Sequence, residues 1–164
     1  MALFQRKKAA PAPVAATALD PDRLPQHIGI IMDGNGRWAK KRGLPRTAGH
    51  AAGAETFRTF AYRCRDLGIP YLTVYAFSTE NWKRPMEEVS AIMGLLRKYL
   101  LEALEKMERD GFRIHFFGDL APLPPELREL CLETQSAGQA VAGAKYQINV
   151  CLNYGGRDEI LRAI

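Results

Sequence analysis

Asp33 is followed at once by Gly34-Asn35-Gly36 and then by Arg37, and the next acid along the chain is Glu55. Between them lie five cations: Arg37, Lys40, Lys41, Arg42 and Arg46. Glycines without Cβ let the chain take positive φ and let a ligand approach the main chain. Successive N–H groups in such a turn form a nest for an anion. A lone acid repels a bare phosphate, but a divalent cation bridges the two. These residue types together point to metal-assisted phosphate chemistry. Two other readings compete: a plain strand-to-turn junction beside a solvated basic face, and a dinucleotide fingerprint at Gly34, Gly36 and Ala39. The fingerprint is the weaker, because Asp33 would repel an unmetallated pyrophosphate. The second strand also ends in Ala76-Phe77-Ser78, without the acid that would hold a ribose.

The elements around the acid must place it. The apolar run Ile28 to Met32 reads as a buried strand that stops at Asp33. The acid then sits at a strand's carboxyl end, where open α/β sheets bind ligands. Gly49-His50 leads into a helix stopped by Gly68, with Phe57, Phe60, Ala61 and Cys64 at helical spacing. Tyr71 to Ala76 reads as strand two, and Phe77 to Pro85 as a polar loop carrying Trp82. Pro85 opens a helix with Glu87 and Glu88 at its positive end. That helix carries one apolar stripe from Val89 to Met107 and stops at Gly111. Phe112 to Phe117 reads as strand three, ending at Gly118-Asp119, with His115 read as a packed histidine. A helix follows over Glu126 to Gln139, then strand four over Lys145 to Leu152. A last helix begins after Asn153-Tyr154-Gly155-Gly156-Arg157-Asp158. Alternating strands and helices predict an α/β fold: a mostly parallel central sheet with helices on both faces. The loops at 33–38, 78–84, 118–119 and 153–157 then fall on one edge of the sheet.

Composition sets the class. A chain of 164 residues, 47% hydrophobic and 25% charged, is long enough for one domain with a real core. The net charge of +5 suits anionic partners. Three widely spaced cysteines, with no Cys-x-x-Cys, indicate neither zinc nor a disulfide framework, and suit a cytoplasmic setting. No apolar run approaches a membrane span. There is no Walker loop and no aromatic-basic interleaving, so no nucleic-acid partner is expected. Residues 1–24, rich in Ala and Pro with Arg6-Lys7-Lys8, read as a disordered tail that could favour an anionic membrane surface. Residues 25–164 read as the domain.

The stretches His27 to Trp38, Arg46 with Gly49-His50, Tyr75 to Pro85, Gly118-Asp119, and Asn153 to Arg157 resemble the cis-prenyltransferases in order and spacing. The resemblance implies a magnesium-dependent transferase that condenses isopentenyl diphosphate onto an allylic diphosphate primer such as farnesyl diphosphate. Cis double bonds form, and the product is a long polyprenyl diphosphate such as the undecaprenyl carrier of cell-wall synthesis. It implies Asp33 as the magnesium-linked carboxylate, with Gly34, Asn35, Gly36 and Arg37 cradling the allylic diphosphate. Arg46 and His50 add cationic or donor contacts, and Trp38 and Trp82 wall the site. Ser78, Thr79 and Glu80 lie on the second substrate loop, Arg84 helps hold the reacting pair, and Asn81 is often given a proton-handling role. An amide is a poor base, which favours positioning for Asn81 and the diphosphate as proton acceptor. The product tail needs an apolar tunnel between the helices after His50 and Pro85. For Ala54, Phe57, Met93 and Leu96, tunnel lining and core packing stay equally open.

Family members continue past the position of Ile164. That later part carries an arginine-rich isopentenyl diphosphate segment, a second magnesium-binding acid and much of the dimer contact. The expected fold is therefore the N-terminal portion, with homodimerisation belonging to the complete chain and a peripheral membrane contact serving product release. The alternative is a catalytically inert or truncated partner subunit of the same fold, against which Asp33, Asn35, Arg37 and Asn81 speak.

Overall fold

The computed structural model describes residues 19–164. Of the tail expected over 1–24, the first 18 residues lie outside the described residues; in the remainder, Pro21–Arg23 form a 3-10 turn capped by Asp20.

Four strands form one wholly parallel sheet: β1 (His27–Ile31), β2 (Tyr71–Ser78), β3 (Phe112–Phe117) and β4 (Tyr146–Tyr154), in the order β1-β2-β4-β3. The helices are α1 (Asn35–Lys40), α2 (Arg46–Asp66), α3 (Met86–Asp110), α4 (Pro125–Ala140) and α5 (Gly156–Ala163). Register places Leu72 beside both Ile28 and Ile148, and Ile148 beside Ile114, so these side chains share one face of the sheet. On that face Val74, Ile114, Phe116 and Val150 pack with Met93, Leu100, Ala103 and Met107 of α3 and with Leu127, Leu130 and Cys131 of α4. Cys64 of α2 packs there with Ile28, Ile30 and Leu72. The alternate residues carry a polar row. His27 Nε2 meets Thr73 Oγ1 at 2.7 Å, Asn149 Nδ2 donates to the same oxygen at 3.0 Å, and Gln147 Nε2 donates to Asn149 Oδ1 at 2.7 Å.

Helix ends follow their punctuation. Pro85 precedes α3, Glu87 and Glu88 occupy its first turn, and Gly111 closes it with its N–H on the Met107 carbonyl. The segment after Asp33, expected as a turn, is helical from Asn35. Gly34, at φ 87°, makes the whole reversal, and the Trp38 N–H returns to its carbonyl at 2.8 Å. α2 likewise starts at Arg46, ahead of Gly49, because Pro45 already stands at its N-cap. α1 lies tightly on α2. A Cβ on Gly49 would run into the Asn35 carbonyl, and one on Gly53 would fall 2.5 Å from Asn35 Oδ1. Small residues one turn apart thus let the helix carrying Arg37 dock against the helix carrying His50.

Candidate functional site

The carboxyl ends of β1 and β2 and the first turns of α2 and α3 meet around one opening. Asp33 follows β1, and its side chain is 77% exposed. Its Oδ1 accepts the Gly34 N–H at 2.5 Å, and its Oδ2 accepts Arg37 Nη2 at 2.8 Å. The Gly34 N–H and then the Arg37 charge hold its carboxyl below the ordinary aspartate range. The Gly34 N–H, expected in an anion nest, is therefore committed to Asp33.

Glu88, in the first turn of α3, gathers the other basic side chains. Its Oε1 meets His50 Nε2 at 2.9 Å and Arg84 Nη1 at 3.0 Å, and its Oε2 lies 3.6 Å from Arg46 Nε. Burial to 5% exposure pushes its carboxyl up. The His50 hydrogen bond and the Arg46 and Arg84 charges outweigh that, and the net shift is downward. Asn81 sits at the same opening. Its Oδ1 accepts the Ser78 N–H at 3.3 Å, closing a capping box with the Ser78 side chain, and its amide N–H groups meet no acceptor among the described residues.

Behind these groups runs a cavity of about 330 Å³. Asp33, Asn35, Arg37, Arg46, His50, Asn81 and Arg84 line its mouth. Ala54, Phe57, Ala61, Leu72, Val74, Ile92, Leu96, Leu100, Ile114 and Val150 line its interior between α2, α3 and the sheet. The arrangement can hold an anionic head at the mouth while its apolar tail leaves water. Among the described residues no three His, Cys, Asp or Glu side chains cluster to hold a metal. Asp33 alone nevertheless fits magnesium, which keeps most of its waters and takes one or two carboxylates with substrate phosphate oxygens.

The family model described as "Putative undecaprenyl diphosphate synthase" matches residues 31–164. The chain belongs to this family. It is 48% identical to an isoprenyl transferase of Clostridium perfringens over 143 residues, covering 87% of this chain and 56% of the relative. It is 48% identical to that of Heliobacterium mobile over 161 residues, covering 98% and 61%. The fold is similar to lavandulyl diphosphate synthase from Lavandula x intermedia in complex with dimethylallyl diphosphate. There the TM-score is 0.77 at 30% identity, over 85% of this chain and 59% of that one. It is also similar to a probable undecaprenyl diphosphate synthase from Campylobacter jejuni, with TM-score 0.67 at 34% identity, over 84% and 58%. The chain spans little more than half the length of these relatives.

Within this undecaprenyl diphosphate synthase fold, the residues singled out from sequence divide in two. Asp33, Gly34, Asn35, Gly36, Arg37, Arg46, His50, Asn81 and Arg84 all line the cavity. Trp38, Ser78, Thr79, Glu80 and Trp82 are not among its lining residues. Trp38, 39% exposed, stacks under Arg42, whose guanidinium carbon lies 4.1 Å from the ring centroid. Trp82 packs edge-on against Phe77 with centroids 5.0 Å apart, and its Nε1 donates to Asn153 Oδ1 at 2.7 Å. Two tryptophans expected as walls are thus a surface stack and a packed anchor. The structure divides the tunnel candidates too. Ala54, Phe57 and Leu96 line the cavity, while Met93 is buried in the main core. Glu88 was missed as a site residue, because an acid in a helix's first turn is ordinary; its spacing of four from Arg84 was the available signal.

Proposed function

We propose that this chain forms the allylic diphosphate site of a prenyltransferase that adds isopentenyl diphosphate units to a primer such as farnesyl diphosphate. Double bonds form with cis geometry, and the product is a long polyprenyl diphosphate, the undecaprenyl carrier of cell-wall synthesis. One observation carries this: three guanidinium groups, an imidazole and the exposed Asp33 carboxylate gather at the strand-end opening of a largely apolar cavity. Head and tail of a prenyl diphosphate match these two parts. The dimethylallyl diphosphate named with the lavender synthase structure is an allylic diphosphate of the same class.

Arg37, Arg46 and Arg84 neutralise the diphosphate, and the amide N–H groups of Asn81 orient it. Each tail methylene leaving water along Phe57 and Leu96 contributes about 0.8 kcal/mol. Asp33 would hold magnesium, which when bound supplies Lewis-acid stabilisation of the departing diphosphate. Arg37 exchanges its pairing with Asp33 for the diphosphate as the ligand enters. The departing diphosphate takes the proton, and Asn81 positions rather than accepts, because an amide is a poor base. The complete protein acts as a homodimer in the cytoplasm and touches the inner face of the membrane peripherally. Supporting that contact are the exposed Lys40, Lys41 and Arg42 beside the half-exposed Trp38. No helix among the described residues is long and apolar enough to cross a membrane.

Calorimetry with farnesyl diphosphate and with inorganic pyrophosphate, each with and without magnesium, tests the site. Magnesium-dependent binding of farnesyl diphosphate, tighter than that of pyrophosphate, is expected. Equal affinity for the two would remove the tail pocket from the proposal. Radiolabelled isopentenyl diphosphate should give essentially no elongation by this 164-residue chain. Robust polyprenyl synthesis would mean that the second substrate site lies within it.

A further inference from the structure

Asn153, next to last in β4, lies in the left-handed region at φ 47°, the one non-glycine residue with positive φ among the described residues. Both ends of its side chain are engaged. Oδ1 accepts from Trp82 Nε1 at 2.7 Å, and Nδ2 donates to the Asp119 carbonyl at 2.8 Å. Its own carbonyl accepts the Asp119 N–H at 3.4 Å. One residue, 6% exposed, therefore joins the ends of β2, β3 and β4. Gly155 and Gly156 follow two and three residues later, yet the left-handed position itself carries an asparagine. Asparagine tolerates that conformation better than other side chains, and strained residues persist where their surroundings hold them. A glycine would relieve the backbone but supply neither hydrogen bond.

The segment that Asn153 grips is the 3-10 turn Thr79–Lys83. Its head is closed by the Ser78–Asn81 capping box. Its tail is held through Trp82, by the Phe77 ring and by Asn153. Asn81 immediately precedes Trp82, and Arg84, two residues on, reaches Glu88. Displacing the indole displaces both mouth groups.

We infer that Asn153 is a positioning residue for the diphosphate site, fixing Asn81 and Arg84 through its side-chain grip on Trp82. This rests on the proposed function of that mouth. Asn153→Gly separates side chain from backbone, because it keeps the left-handed conformation without strain. Asn153→Asp keeps the acceptor for Trp82 but turns the donor to the Asp119 carbonyl into a charged acceptor. Trp82→Phe keeps the ring and loses the indole donor. Amide exchange over residues 79–83, the melting temperature and farnesyl diphosphate affinity are measured for each.

Asn153→Gly should speed exchange at 79–83 and weaken farnesyl diphosphate binding about tenfold, the effect of one lost ordering hydrogen bond, with little change in melting temperature. Asn153→Asp, which keeps the acceptor for Trp82, should bind more tightly than Asn153→Gly but more weakly than wild type. Trp82→Phe should weaken binding by a similar factor, and the double variant Asn153→Gly with Trp82→Phe should be no weaker than either single. Wild-type exchange and affinity in Asn153→Gly would overturn the inference. So would faster exchange with unchanged affinity. Failure of the wild-type chain to bind any prenyl diphosphate sinks the functional reading instead, and the two failures are thereby told apart.

Discussion

His50 Nε2 lies 2.9 Å from Glu88 Oε1, tying α2 to α3 across the cavity mouth. The same carboxylate faces Arg84 and Arg46, so one buried acid balances the cationic rim. Buried ion pairs add little over an apolar replacement, but removing one partner strands the others. Glu88→Ala should lose about 3 kcal/mol of stability in urea denaturation, and should weaken farnesyl diphosphate binding as His50 and Arg84 separate. A loss below about 0.5 kcal/mol, the scale of an exposed pair, would show that water already screens the cluster.

The same carboxylate makes stability depend on acid. Its folded value is held below the ordinary 4.5, so the folded state favours the ionised form. That contribution is fully present above the ordinary value and is lost as pH falls through the folded one. Asp110, lowered by Arg109 and then Tyr62 against the opposing effect of burial, acts in the same direction. The midpoint of urea unfolding should therefore be flat above about pH 6 and fall progressively below pH 5. Glu88→Gln should flatten this fall; an identical acid limb in wild type and variant would assign it to other carboxylates.

Asp33 differs from Glu88 in being exposed, with its partner Arg37 exposed as well. Asp33→Ala should leave the stability essentially unchanged, as for other exposed surface pairs. Farnesyl diphosphate binding should lose its magnesium dependence. Titrating magnesium at fixed ligand measures this directly, and an undiminished magnesium response would take Asp33 out of the metal role.

Gly49→Ala places a Cβ against the Asn35 carbonyl, a backbone atom that cannot swing aside. Overpacking of this kind costs about 1–3 kcal/mol. α1 should lift from α2, carrying Arg37 away from Arg46. Faster exchange of the α1 amides with unchanged exchange in β3 and β4 is the expected pattern, and an unperturbed α1 would show that the interface yields elsewhere.

Much of the scaffold was legible because local rules decide it. The strand before the acid, the stop at Gly111 and the proline start of α3 are set by periodicity and backbone permission. β1 is nevertheless an edge strand over His27–Ile31 with Ile31 exposed, not the expected buried run Ile28 to Met32, because only β2 pairs with it. β2 and β4 run on to Ser78 and Tyr154, beyond their expected ends, because parallel pairing carries polar residues that alternation alone would assign to loops. Alternation could not separate Met93 from Leu96 either. Both lie on the apolar stripe of α3, and only the distance between α2 and α3 leaves one buried and the other lining a cavity.

The sequence by itself determined the strand-end acid, the glycine reversal after it, the cations that follow and the parallel α/β order. Each depends on residues close along the chain, where sterics and charge act without a partner. The tertiary structure alone decided that Glu88 gathers His50, Arg46 and Arg84, that Trp38 stacks outside the cavity while Trp82 anchors a loop, and that Asn153 joins three strand ends. These relations join residues up to 71 positions apart, and chain order carries no information on which distant polar atoms packing will bring within hydrogen-bond reach.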